Sequence, residues 1–109
     1  MTEKSSARVG NEVSQQRPVM VLIDLMGKKW VLRILWELHQ GPCTFRELQN
    51  RCGDISPTII NKRVKELITM NLVTKAEPSG YLLTKYGEEL IDLFHPLNAW
   101  AKKWSKTIS

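Results

Sequence analysis

Thr44–Leu83, TFRELQNRCGDISPTIINKRVKELITMNLVTKAEPSGYLL, holds two short helical patterns, a tight turn and a pair of strand patterns in one unbroken stretch. The first helix begins at Thr44, whose hydroxyl can cap the backbone while Glu47 returns a bond three residues on, the spacing of a capping box. Phe45, Leu48 and Cys52 fall at i, i+3 and i+7, so this helix, Thr44–Arg51, offers one narrow apolar face. Gly53 supplies a sharp exit. Ser56-Pro57 then starts a second helix, with Ser56 as N-cap and Pro57 in the first turn, where a missing N–H costs nothing. Ile55 and Ile60 occupy the two positions of a hydrophobic staple, which fixes the angle of entry. The helix runs to about Met70, with Asn71 as a left-handed cap. Leu72–Lys75 and Tyr81–Thr84 read as strands around Pro78-Ser79-Gly80.

Helix, turn, helix and hairpin in that order make a winged helix-turn-helix, a mainly α fold with a small β-hairpin that sets its second helix in a DNA major groove. On a wheel of about 100° per residue, Val64, Leu67 and Ile68 cluster near Ile60. Thr58, Lys62, Lys65 and Thr69 fall opposite, with Ile59, Asn61 and Arg63 on the flanks. From Ser56 to Lys65 the helix carries three cations and no acid, which suits approach to phosphates. Lys62 and Arg63 can donate to guanine, Asn61 can pair with adenine, and Thr58 or Ile59 can touch a thymine methyl. Thr44, Arg46, Ser56 and Lys65 are expected on phosphates, near helix N-termini whose N–H groups also point outward. Lys75, Ser79 and Lys85 on and beside the wing are expected to be accessory phosphate contacts, because Glu77 weakens that surface for an anion.

Upstream of this stretch, residues 1–16 are polar and balance Glu3 and Glu12 against Lys4 and Arg8, which reads as a flexible tail; the winged domain is expected over 17–106. From Pro18 the chain turns apolar on two sides, Val19, Leu22, Ile23 and Met26 on one and Met20, Val21 and Leu25 on the other. A short helix buried on two sides needs two neighbours, its own domain and a partner chain. Lys28–His39 reads as the next helix, with Val31, Ile34, Leu35 and Leu38 as its core stripe, ended by Gly41-Pro42. A last helical region capped by Thr84 carries Leu90, Ile91, Phe94 and Leu97 into Trp100, Ala101 and Trp104, across Pro96, which should kink or restart it. The terminal helices are therefore expected to form a dimer interface through Val19, Met20, Leu22, Ile23, Phe94, Leu97, Trp100 and Trp104, since tryptophan is enriched where two surfaces meet.

Composition agrees with an intracellular DNA-binding domain. With 109 residues there is room for a real core but not for a second catalytic or ligand-binding domain. The net charge of +5 favours an anionic partner such as DNA, RNA or a lipid surface, and with the basic helix the expected partner is double-stranded DNA. No run reaches the length of a membrane span and no signal core precedes Gly10, so a soluble, cytoplasmic protein is expected, nucleoid-associated when on DNA and without membrane contact.

Met26-Gly27-Lys28-Lys29-Trp30, Ile34-Leu35-Trp36-Glu37-Leu38, Gly41-Pro42, Phe45-Arg46-Glu47-Leu48, Ile55-Ser56-Pro57, Arg63-Val64-Lys65-Glu66-Leu67, Leu72-Val73 and Leu83-Thr84 form an ordered series. In their order and spacing, from about Pro18 to Trp104, they resemble the HxlR-type winged-helix transcription regulators, relatives of the MarR-like proteins. The resemblance implies a homodimer built on the first and last helices, binding a pseudo-palindromic operator as repressor or activator. Two departures stand out. Arg17 occupies the place, just before the proline of the first helix, where many members carry a redox-switching cysteine. The wing is shorter than the family's proline-containing hairpin.

The other reactive side chains read mostly as structural. Cys43 can staple against Leu48, and Cys52 completes the face begun by Phe45; a redox role for either rests on Arg51 beside Cys52. His39 and His95 show no partners at recognisable ligand spacing, so no metal or other cofactor is expected. No nucleophile stands beside a base, so no enzyme is expected. A small aromatic effector held between tryptophans is a minor reading. The alternative to a sequence-specific DNA-binding regulator is a winged-helix protein-interaction module, which would need an apolar patch in place of the basic face.

Overall fold

The computed structural model describes residues 17–109, so the expected tail over 1–16 lies outside the described residues. Its elements are α1 (Pro18–Met26), α2 (Val31–His39), α3 (Phe45–Arg51), α4 (Pro57–Thr69), β1 (Val73–Lys75), β2 (Tyr81–Leu83) and α5 (Lys85–Ser105). Mainly helical, with one antiparallel hairpin, they form a winged helix-turn-helix.

The capping chemistry sits where the sequence places it. Thr44 Oγ1 accepts from the Glu47 N–H at 3.1 Å while the Thr44 N–H donates to the Glu47 carboxylate at 2.9 Å, closing the box at the start of α3. Ser56 Oγ accepts from the Thr58 N–H and Pro57 opens α4, while Thr84 Oγ1 accepts from the Gly87 N–H at the start of α5. Between α3 and α4 the chain turns through left-handed Gly53 and Asp54, and Gln49 Nε2 donates to the Ile55 carbonyl across the turn. Asn71 is left-handed, with φ of 60°, and ends α4 as its type allows.

Two local expectations change and one pairing is added. The second helix starts at Val31, not Lys28, because Trp30 takes a left-handed backbone, φ 78°, and turns Gly27–Trp30 into a connecting loop. Pro96 neither restarts nor interrupts α5: it removes one N–H, and Asp92 and Pro96 both lie on the solvent side, where water can serve the orphaned carbonyl. The hairpin pairs Val73 with Leu83, Thr74 with Leu82 and Lys75 with Tyr81, and Tyr81 also exchanges two backbone bonds with Cys43, so the segment before α3 joins the wing as a third edge.

One core unites these elements: Val31, Ile34, Leu35 and Leu38 of α2, Leu48 and Cys52, Ile60, Val64 and Leu67 of α4, Val73 and Leu83, and Leu90 and Ile91. α2 is the central element, packed by α3, α4, α5 and the hairpin. Because Ile60, Val64 and Leu67 are all but fully buried, the rotation of α4 is fixed and its opposite face must point outward. No helix among the described residues is long and apolar enough to cross a membrane.

Candidate nucleic-acid interface

α4 exposes Thr58, Lys62 and Lys65 opposite Ile60, Val64 and Leu67, and Ile59 and Asn61 on the flanks. Lys62 and Lys65 make no ion pair among the described residues, and no acid lies between Pro57 and Lys65. Ile59 is the one apolar group on this face and is itself part-covered, at 39% exposure. Thr44 and Ser56 use their hydroxyl oxygens as caps, which leaves each O–H as a donor beside a helix N-terminus. Arg46 on α3, and Lys75, Ser79 and Lys85 on and beside the wing, are all exposed.

Arg63 takes structural partners within the chain. Its Nε donates to the Lys29 carbonyl at 3.0 Å, and its Nη1 donates to Glu66, which also takes the Lys28 ammonium. The guanidinium therefore ties α4 to the loop between α1 and α2, and it pins the peptide that leads into left-handed Trp30. A non-glycine residue in that region costs about 1–2 kcal/mol, which such anchoring offsets. Burial pushes the Glu66 carboxyl up, but the hydrogen bonds and charges of Lys28 and Arg63 outweigh it and hold the group below its ordinary range. This Lys28–Glu66–Arg63 cluster was not expected; the only sign of it in sequence is the Arg63–Glu66 spacing of three on one helix.

The cysteines lie in the core, Cys43 at 1% and Cys52 at 2% exposure. Burial pushes both thiols up; Arg51 partly opposes this at Cys43, where its Nη1 lies 3.1 Å from Sγ, and Arg33 partly opposes it at Cys52. Both settings favour the neutral thiol over the reactive thiolate. Arg51 thus reaches Cys43, not its sequence neighbour.

On the terminal helices the expected interface residues divide. Leu22 and Phe94 pack in part against the chain's own core, whereas Val19, Met20, Ile23, Leu97, Trp100 and Trp104 are about half exposed. Trp100 and Trp104 stack in parallel, with centroids 5.7 Å apart.

The fold and its outward basic helix agree with a profile of HxlR-like helix-turn-helix proteins, which matches residues 25–109. The chain belongs to the HxlR family. It is thus of a family of DNA-binding transcriptional regulators, and its relatives are named accordingly. An uncharacterised HTH-type transcriptional regulator of Methanocaldococcus jannaschii is 30% identical over 92 residues, covering 80% of this chain and 85% of the relative. The Bacillus subtilis HTH-type regulator YodB is 33% identical over 86 residues, covering 73% and 77%. The solved structure of quinone-bound YodB superposes with a TM-score of 0.75 at 29% identity, over 82% of this chain and 99% of that one. A MarR-family regulator of Enterococcus faecalis reaches the same TM-score at 24% identity, over 85% and 90%, and shares the fold.

Proposed function

We propose that this HxlR-type regulator acts as a homodimer on a pseudo-palindromic operator, with α4 of each protomer in successive major grooves about 34 Å apart. The observation that supports the reading is that α4 carries no acid from Pro57 to Lys65 and exposes Thr58, Ile59, Asn61, Lys62 and Lys65; on this reading the first four meet bases and Lys65 a phosphate. Thr44, Arg46, Ser56, Lys75, Ser79 and Lys85 would hold the backbone on either side. Arg63 is assigned first to positioning the helix, because its Nε and Nη1 are engaged by the Lys29 carbonyl and Glu66. A protein-docking role for the same face finds little support, since Ile59 alone does not make an apolar patch.

The dimer reading rests on α5. Leu93, Leu97, Trp100 and Trp104 are spaced four, three and four apart and are 71%, 50%, 52% and 48% exposed, the stripe of a two-helix seam. Val19, Met20 and Ile23 of α1 add a second exposed apolar surface for that partner. An apolar groove of about 430 Å³ between α2 and α5, walled by Leu32, Trp36, Phe94 and Leu97, is the place this reading gives to a small aromatic effector.

Selecting bound genomic fragments with the purified protein and footprinting the best of them tests the proposal. Two protected half-sites related by a dyad and about one helical turn apart are expected. A single unsymmetrical footprint, or one unchanged when Leu97→Asp converts the protein to a monomer, would overturn the dimeric reading.

A further inference from the structure

Four side chains that look unrelated in sequence meet where the last turn of α2 crosses α5. Glu88, Asp92 and His95 follow one face of α5 at intervals of four and three residues, and His39 is the final residue of α2. One donor atom from each of His39, Asp92 and His95 lies within 4.8 Å of the others. The two imidazole centroids are 5.7 Å apart and inclined by 57°. Two imidazoles bound to one tetrahedral ion, with Zn–N bonds of about 2.0–2.1 Å, stand with centroids roughly 5 Å apart, so a small closing movement suffices.

From this convergence we infer that His39, Asp92 and His95 form a binding site for a zinc-class divalent ion, joining α2 to α5. The donor chemistry selects the ion. Two imidazoles and one carboxylate suit zinc and its first-row neighbours, whereas magnesium and calcium take oxygen donors. Three protein ligands leave a fourth position open. Glu88 supports the set from outside: its carboxylate lies 3.0 Å from His39 Nδ1, the carboxylate–imidazole contact that fixes the ring's orientation and its tautomer. Trp36 walls one side, with its ring centroid 5.5 Å from that of His95 and 6.4 Å from that of His39. No hydrogen bond or ion pair among the described residues engages the side chains of Asp92 or His95, so both are available as ligands.

Titration of the untagged full chain with zinc chloride, followed by calorimetry at neutral pH, tests the site. Saturation at one ion per chain is expected. Asp92→Asn and His95→Ala should each weaken binding by more than about tenfold, while Glu89→Gln, an exposed neighbour outside the cluster, leaves it unchanged. Cobalt(II) in place of zinc gives a readout that does not depend on affinity: visible d–d absorption without the near-ultraviolet charge-transfer band of thiolate ligation. Absence of saturable zinc binding, affinity that survives both substitutions, or a thiolate band pointing to Cys43 or Cys52 would overturn the assignment.

Discussion

The Arg63 guanidinium lies between the Lys29 carbonyl and the Glu66 carboxylate, with its side chain only 18% exposed, so its removal acts on the folded state before it acts on any DNA. Hydrogen bonds to charged groups contribute about 1.5–3 kcal/mol each, and Glu66 keeps Lys28 when Arg63 is lost; Arg63→Ala should therefore cost about 1–2 kcal/mol in urea unfolding. Lys62→Ala, on the free face, should leave the unfolding midpoint unchanged. The depressed pKa of Glu66 sets a pH dependence. A carboxyl whose folded value lies below its ordinary 4.5 contributes stability above that value and loses it as pH falls through the folded value. The melting temperatures of wild type and Glu66→Gln should accordingly differ at pH 6 and converge as the pH is lowered past 4.5 toward the folded value; a gap that widened on acidification would contradict the cluster. The charge and position of Arg63 were legible in the sequence. Its partners were not, because Lys28 and Lys29 arrive from a loop more than thirty residues away and only the packing of α2 against α4 brings them there.

At the scale of elements, caps and periodicity carried most of the information. Thr44, Ser56 and Thr84 all cap where their spacing to later residues indicates, since those interactions close within three residues and need no tertiary partner. The expected start of α2 at Lys28 differs from the observed one because lysine and tryptophan propensities permit helix over 28–30, whereas the left-handed turn at Trp30 follows a carbonyl bonded by Arg63 of the distant α4. The metal-ligand cluster escaped for the same reason: His39 and His95 are far apart in sequence, and the three-residue step from Asp92 to His95 looks like an ordinary solvated face. Gly87 shows how closely α5 sits on the wing. A Cβ there would stand 2.2 Å from the Leu72 carbonyl oxygen, which already accepts from the Thr84 N–H. Alanine normally gains about 1 kcal/mol over glycine within a helix, but a backbone clash of this depth outweighs it. Gly87→Ala should destabilise by about 1–3 kcal/mol in thermal or urea unfolding, whereas a stabilised variant would show that α5 is free to withdraw from the hairpin.

The described residues combine a packed core that carries α4 with a projecting arm. The core under α2 fixes the rotation of α4, while the distal half of α5 leaves the chain's own core and exposes Leu97, Trp100 and Trp104. In the proposed dimer that arm sets the distance between the two reading helices, and the crossing of α2 with α5 sets its direction. The net charge of +5 per chain adds attraction to any duplex, so affinity alone does not separate a regulator from a generally basic protein. The decisive measurement is fluorescence anisotropy of a selected operator and a scrambled duplex over a series of salt concentrations, with wild type, Lys62→Ala and Lys65→Ala. The account predicts operator binding at least about 10³-fold tighter than scrambled, with a steep salt slope. It also predicts that Lys62→Ala narrows the operator preference and that Lys65→Ala weakens both duplexes alike. Equal, weak and salt-insensitive binding to the two duplexes, unaltered by either substitution, would contradict it.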